Sequence, residues 1–103
     1  MIKFGLKKKE IKLIQLIFKK YSDINKVFIY GSRVNKNYKK TSDIDLAISF
    51  NPNKNNAMAK IKSDLDDLSI IYGIDATNEA EIIPGNFRDE YEKTKKIFYI
   101  KNN

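Results

Sequence analysis

The chain has 103 residues with no cysteine and no histidine, and its 20 lysines and arginines outnumber 13 acids, for a formal net charge of +7. That length suits one domain. The missing cysteines exclude disulfides and thiolate metal sites, and the missing histidines leave proton transfer and metal binding to carboxylates, hydroxyls and lysines.

The amino terminus, MIKFGLKKKEIKLIQ, lacks the uninterrupted apolar run of a secretory signal. No segment approaches the roughly 20 apolar residues of a membrane span, so a cytoplasmic protein is expected. Ile11, Ile14, Ile17, Phe18 and Tyr21 then fall on one face of a helix over residues 8–22, with lysines opposite. KVFIY at 26–30 is β-branched and aromatic and stops at Gly31, which predicts a buried strand. A polar loop runs to Thr41, with room for a short helix. Residues 44–50 alternate, with Ile44, Leu46, Ile48 and Phe50 on one face and Asp45, Ala47 and Ser49 on the other, which predicts a strand with one dry face.

NPNKNN at 51–56 reads as a turn. Met58, Ile61, Leu65, Leu68 and Tyr72 recur at threes and fours and predict a second long helix that stops at Gly73. A third strand is expected over residues 74–77, extending at most to Ile83, and Pro84-Gly85 breaks it. A short charged helix over 86–96 and a last strand over 97–100 complete the chain. The positive excess favours anionic partners, while lysines dispersed along the whole chain read as a solvated surface.

Three features carry chemistry. Asp43 and Asp45 stand two apart at the head of a strand, where residues i and i+2 point the same way. Like charges held that close repel unless a cation lies between them, and Mg²⁺ accepts one or two carboxylates together with substrate phosphates. Alone, such a pair also fits two surface aspartates. Gly31-Ser32 directly follows a strand; glycine admits a close ligand or a positive φ, and the adjoining N–H groups and hydroxyl suit phosphate oxygens, although an ordinary turn has the same composition. Asp75 joins the pair if the third strand lies beside the second, and three carboxylates can serve two metal ions. Glu79 and Glu81 are the nearby alternatives to Asp75.

Taken together, strand, Gly31-Ser32, a loop, Ser42-Asp43-Ile44-Asp45-Leu46 opening a strand, then a helix and a third aspartate resemble the minimal nucleotidyltransferase (MNT) domains of the DNA polymerase β-like superfamily. The likeness spans nearly the whole chain. It implies a single domain over residues 1–103 with the nucleotidyltransferase fold, an α+β architecture with a small mixed sheet of three to four strands flanked by helices. It also implies roles. Gly31, Ser32, Arg33 and Ser42 would bind the nucleotide; Asp43, Asp45 and Asp75 would be catalytic and hold Mg²⁺, with two ions expected; and ATP would be the substrate. Many relatives read G-S-R-A-R-G where this chain has Gly31-Ser32-Arg33-Val34-Asn35-Lys36. Arg33 is retained and suits either phosphate contact or bracing of the loop, whereas Asn35 and Lys36 replace an arginine and a glycine.

Chains this short resemble the MNT half of two-gene HEPN–MNT toxin–antitoxin modules. The resemblance implies a hetero-oligomeric complex with a HEPN-type RNase toxin, neutralised by transfer of AMP to a tyrosine. Neutralisation by contact alone and transfer to a small-molecule acceptor are the alternatives. No motif supports direct nucleic-acid binding.

Overall fold

The computed structural model describes residues 2–52 and 57–101. Positions 53–56 of the expected 51–56 turn lie outside the described residues. The chain opens with a hairpin of two short strands, β1 (Ile2–Lys3) and β2 (Leu6–Lys7), whose turn at Phe4-Gly5 has positive φ at both residues. Helix α1 (Lys8–Lys19) follows, its start closed by the Lys7 backbone N–H donating to the Glu10 carboxylate at 2.8 Å. Strand β3 (Ile24–Tyr30) leads into a one-turn helix, α2 (Ser32–Asn35), and then β4 (Ile44–Phe50). Helix α3 (Met58–Asp66), β5 (Ile74–Asn78), a 3₁₀ turn over Glu79–Glu81, α4 (Asn86–Thr94) and β6 (Lys96–Ile100) complete the order.

The four longer strands form one mixed sheet in the order β5-β4-β3-β6. β3 pairs antiparallel with β4 and β6, while β4 and β5 run parallel and are joined through α3, as a parallel pair requires. The expected α+β architecture is therefore present, with the predicted strand count at its upper value.

Period-2 patterning builds the two layers. Ile44, Leu46 and Ile48 turn one way and are buried with Val27, Ile29, Ile14, Phe18, Ile61 and Leu65, so α1 and α3 cover that face. Burying each such side chain is worth about 1.5–3 kcal/mol. The opposite face buries Ala47 with Ile82 and with Tyr91 of α4, and Phe28 and Tyr30 pack against them. Beneath α4 the Tyr91 hydroxyl donates to Glu79 at 2.6 Å, and Lys95 pairs with the same Glu79 oxygen at 3.1 Å.

Several boundaries differ from expectation. α1 ends at Lys19, so Tyr21 lies beyond it and instead donates its hydroxyl to Asp64 of α3. α3 ends at Asp66, six residues short of Tyr72. Three aspartates, Asp64, Asp66 and Asp67, sit at its carboxyl end, where negative charge opposes the helix dipole. Leu68 and Tyr72 still pack on the core, from irregular backbone. β5 stops at Asn78, whose side chain accepts the Ala80 N–H and opens the 3₁₀ turn. Among the described residues no helix is long and apolar enough to cross a membrane.

Candidate active site

The Gly-Ser pair and the three aspartates meet at one edge of the sheet. β3 ends at Tyr30, the register partner of Asp45, and Asp45 in turn pairs across the parallel junction with Asp75. Tyr30, Asp45 and Asp75 therefore form a row across three strands. Asp43 stands just before β4, and the Ile44 N–H that follows it donates to Gly73 O at 2.8 Å, which ties the head of β4 to the segment leading into β5.

Two glycines make room for the carboxylates. Gly31 has φ 79° and ψ −148°, a conformation that glycine adopts without strain. A Cβ there would stand 2.7 Å from Asp45 Oδ2. A Cβ on Gly73 would stand 2.6 Å from Asp43 Oδ1, so the sequence reading of Gly73 as a helix stop gives way to a packing role.

Asp45 is half-buried, while Asp43 and Asp75 are exposed. Burial raises the Asp45 pKa above the ordinary carboxylate value, and the charges of Asp75 and Asp43 raise it further; Arg33 opposes them. Tyr30 is raised as well, chiefly by burial, with Asp45 and Asp75 adding and a side-chain hydrogen bond with Thr77 opposing. It therefore stays a neutral phenol beside the acids. Neither Tyr30 nor Thr77 was singled out from the sequence. The signal was available, since Tyr30 is the last residue of the strand that delivers Gly31, but its pairing with Asp45 depends on an antiparallel register that no sequence pattern states.

Arg33 is 2% exposed. Its guanidinium donates to Phe4 O at 2.9 Å and to Ser42 O at 2.7 Å, and it lies 4.7 Å from the Tyr72 ring centroid and 5.2 Å from that of Tyr38. Of the two roles open to it from the sequence, the geometry is that of a brace: it fastens the hairpin and the residue before Asp43 to α2. Ser42 Oγ accepts the Lys39 N–H at 2.8 Å and shapes the loop. Ser32 opens α2 and is partly exposed. Glu79 is engaged by Tyr91 and Lys95, and Glu81 lies on the same 3₁₀ turn, so Asp75 is the acid that the sheet sets beside Asp45. Lys36 closes α2 with φ 62°, at the position where the resembling domains carry glycine.

Among the described residues no group of three or more acids is gathered closely enough to form a metal cage from protein ligands alone. The donor chemistry nonetheless suits a hard cation. Asp45 feels two like charges, which a cation would neutralise, and Mg²⁺ completes its oxygen shell with water and substrate phosphates. Asp43 and Asp45 would hold such an ion, with Asp75 beside them.

A protein-family model described as "Polymerase beta, Nucleotidyltransferase" matches residues 12–103. A crystal structure from Sulfolobus solfataricus that carries a nucleotidyltransferase designation superposes with a TM-score of 0.56 at 19% identity, covering 89% of this chain and 78% of that one, which is a likeness of fold. No curated protein sequence matches.

Proposed function

This chain belongs to the polymerase beta nucleotidyltransferase family, and from that premise we propose that it transfers AMP from ATP to a hydroxyl, with a tyrosine of a HEPN-type toxin as the acceptor. The observation that carries the reading is the open row of acids. Asp43 and Asp75 face solvent beside the half-buried Asp45, so a second molecule can bring a hydroxyl to them. The acceptor oxygen bonds to the α-phosphorus, the bond from that phosphorus to the α–β bridging oxygen breaks, and pyrophosphate leaves with the electron pair. The acceptor proton passes to the Asp75 carboxylate. Gly31 and Ser32 hold the phosphates, and Asp43 and Asp45 orient the reacting end. Mg²⁺ bound at these acids supplies charge neutralisation on the phosphates. Catalysis of this kind is positioning plus electrostatics and has no need of histidine.

A second reading, inhibition of the toxin by contact alone, draws on the replacement of the second loop arginine by Asn35 and on the exposed Leu16 and Ile71. One assay separates the two. The protein is incubated with α-labelled ATP, Mg²⁺ and the product of the neighbouring gene, and the partner is weighed intact. Mass gain by AMP units, reduced about 100-fold or more in Asp43→Ala or Asp45→Ala with the fold retained, supports transfer. A neutralised toxin with no added mass supports contact.

A further inference from the structure

A groove of about 640 Å³ lies between the β1-β2 hairpin, the first half of α1 and the segment from Ser69 to Tyr72 that leads into β5. Leu13, Ile70 and Ile71 give it an aliphatic wall, and Lys7, Lys9 and Lys40 bring cations to it from β2, α1 and the loop after α2. Leu13 is 42% exposed and Ile71 77%. Leu16, three residues further along α1, is exposed as well. A helix that only covered a sheet would carry polar residues at those outward positions. Single exposed apolar side chains are ordinary, whereas several gathered in a concavity with a polar rim mark a contact surface.

The charges of the groove are also unspent. Lys7, Lys8 and Lys9 stand at the amino end of α1, where the helix dipole already places positive charge. Among the described residues Glu10 is the one acid that lines the groove, and it accepts the Lys7 backbone N–H. The described ion pairs include none of Lys7, Lys9 and Lys40. Like charges gathered in this way weaken the isolated fold and are offset by negative charge from outside.

We propose that this groove docks an amphipathic helix of the acceptor protein, apolar on the face it buries and acidic along its flanks. The inference rests on the transfer reading for its acceptor and adds the surface on which that protein lies. Tyr72 lines the groove, and the next residue is Gly73, where a Cβ would stand 2.6 Å from Asp43 Oδ1. The groove therefore opens at the end of the sheet that carries the acids, and a chain lying in it passes beside them. Its aliphatic wall suits the anchors that a helix presents at i, i+3 and i+4. None of the four strands of the main sheet lines it, so it offers no strand edge of that sheet for main-chain pairing. A second copy of this chain would bring its own +7 charge against these lysines, whereas an acidic helix complements them.

The test measures binding of the neighbouring gene's product by calorimetry in the absence of nucleotide. Wild type is compared with Leu13→Ser/Ile71→Ser and with Lys9→Glu/Lys40→Glu. The control, Ile97→Ser/Ile100→Ser, alters two exposed isoleucines of β6 outside the groove. The expected result is a loss of about 10-fold or more in affinity for both groove variants, with the control within about twofold of wild type. Lys9 and Lys40 are both exposed, so the lysine variant carries the test if the apolar one unfolds. Unchanged affinity in the groove variants, an equal loss in the control, or no binding to wild type would each overturn the inference. So would groove-dependent formation of a homodimer in sedimentation, or groove-dependent binding of phosphatidylserine vesicles or a short oligouridylate in place of the protein. Groove-dependent binding with no AMP added to the partner would uphold the docking surface and overturn the transfer reading. Transfer of AMP by both groove variants with the kcat/KM of wild type would do the reverse, so the two can fail separately.

Discussion

At the scale of single residues, the acid row sets stability against function. The folded pKa of Asp45 lies above the ordinary value of about 3.9. A carboxyl shifted upward favours the folded state only while protonated, and that contribution disappears as pH rises through the shifted value. At neutral pH the ionised group therefore costs stability. Asp45→Asn should raise the melting temperature by a few degrees at pH 7 without divalent cation, a modest gain because the group is partly solvated. The gap should close as pH falls below about 3.9, where both side chains are neutral. A variant that melts lower at pH 7 would mean that the carboxylate is structurally required. Lys36 makes the opposite trade. Its φ of 62° disfavours any side chain with a Cβ. Lys36→Gly relieves that strain but frees the unfolded chain, so a net gain of about 0.5 kcal/mol is expected in chemical denaturation.

At the scale of elements, Arg33 joins parts that have little else in common. It links the hairpin turn at Phe4 to Ser42, the residue before Asp43. Arg33→Met removes both charge-assisted hydrogen bonds and should cost about 3 kcal/mol. Arg33→Lys should recover little, because an ammonium cannot reproduce the planar fork that spans two carbonyls. Urea denaturation of the three proteins checks both, and full recovery by lysine would mean that charge alone matters. The long elements were legible because their apolar positions repeat, at threes and fours in α1 and at twos in β4. What was not legible follows from the absence of a repeat. Two-residue strands such as β1 and β2 have no period to detect, and their turn uses a positive φ at Phe4, a residue that rarely adopts one. Tyr21, Leu68 and Tyr72 kept the helical spacing and the burial while the backbone left the helix. Periodicity reports which side chains face the core, and helix ends depend on charges and caps that it does not see. At the site, the order of Gly31-Ser32, Asp43, Asp45 and Asp75 was readable, whereas the inward turn of Arg33 and the place of Tyr30 in the row depend on pairings between strands.

For the whole molecule, a formal charge of +7 is spread over lysines that mostly face solvent. The described ion pairs engage Lys20, Arg88 and Lys95. Self-repulsion should therefore weaken the folded state at low ionic strength. Raising NaCl from about 10 mM to about 150 mM shortens the screening length from about 30 Å to about 8 Å. The melting temperature should rise over that range, and a fall would show that attractive pairs outweigh the repulsion.

The parallel junction between β4 and β5 also sets the order in which the site can come into being and be lost. Asp45 and Asp75 meet only after α3 has carried the chain back across the sheet, a contact of long sequence separation that folding closes late. β5 is an edge strand, held by β4 on one side alone. Edges open more readily than centres, so Asp75 can leave the row while the α1-covered core stays intact. The lifetime of the assembled acid row is then the lifetime of one strand pairing. Amide exchange along β5 should run faster than along β3 and report how often the site is taken apart and rebuilt.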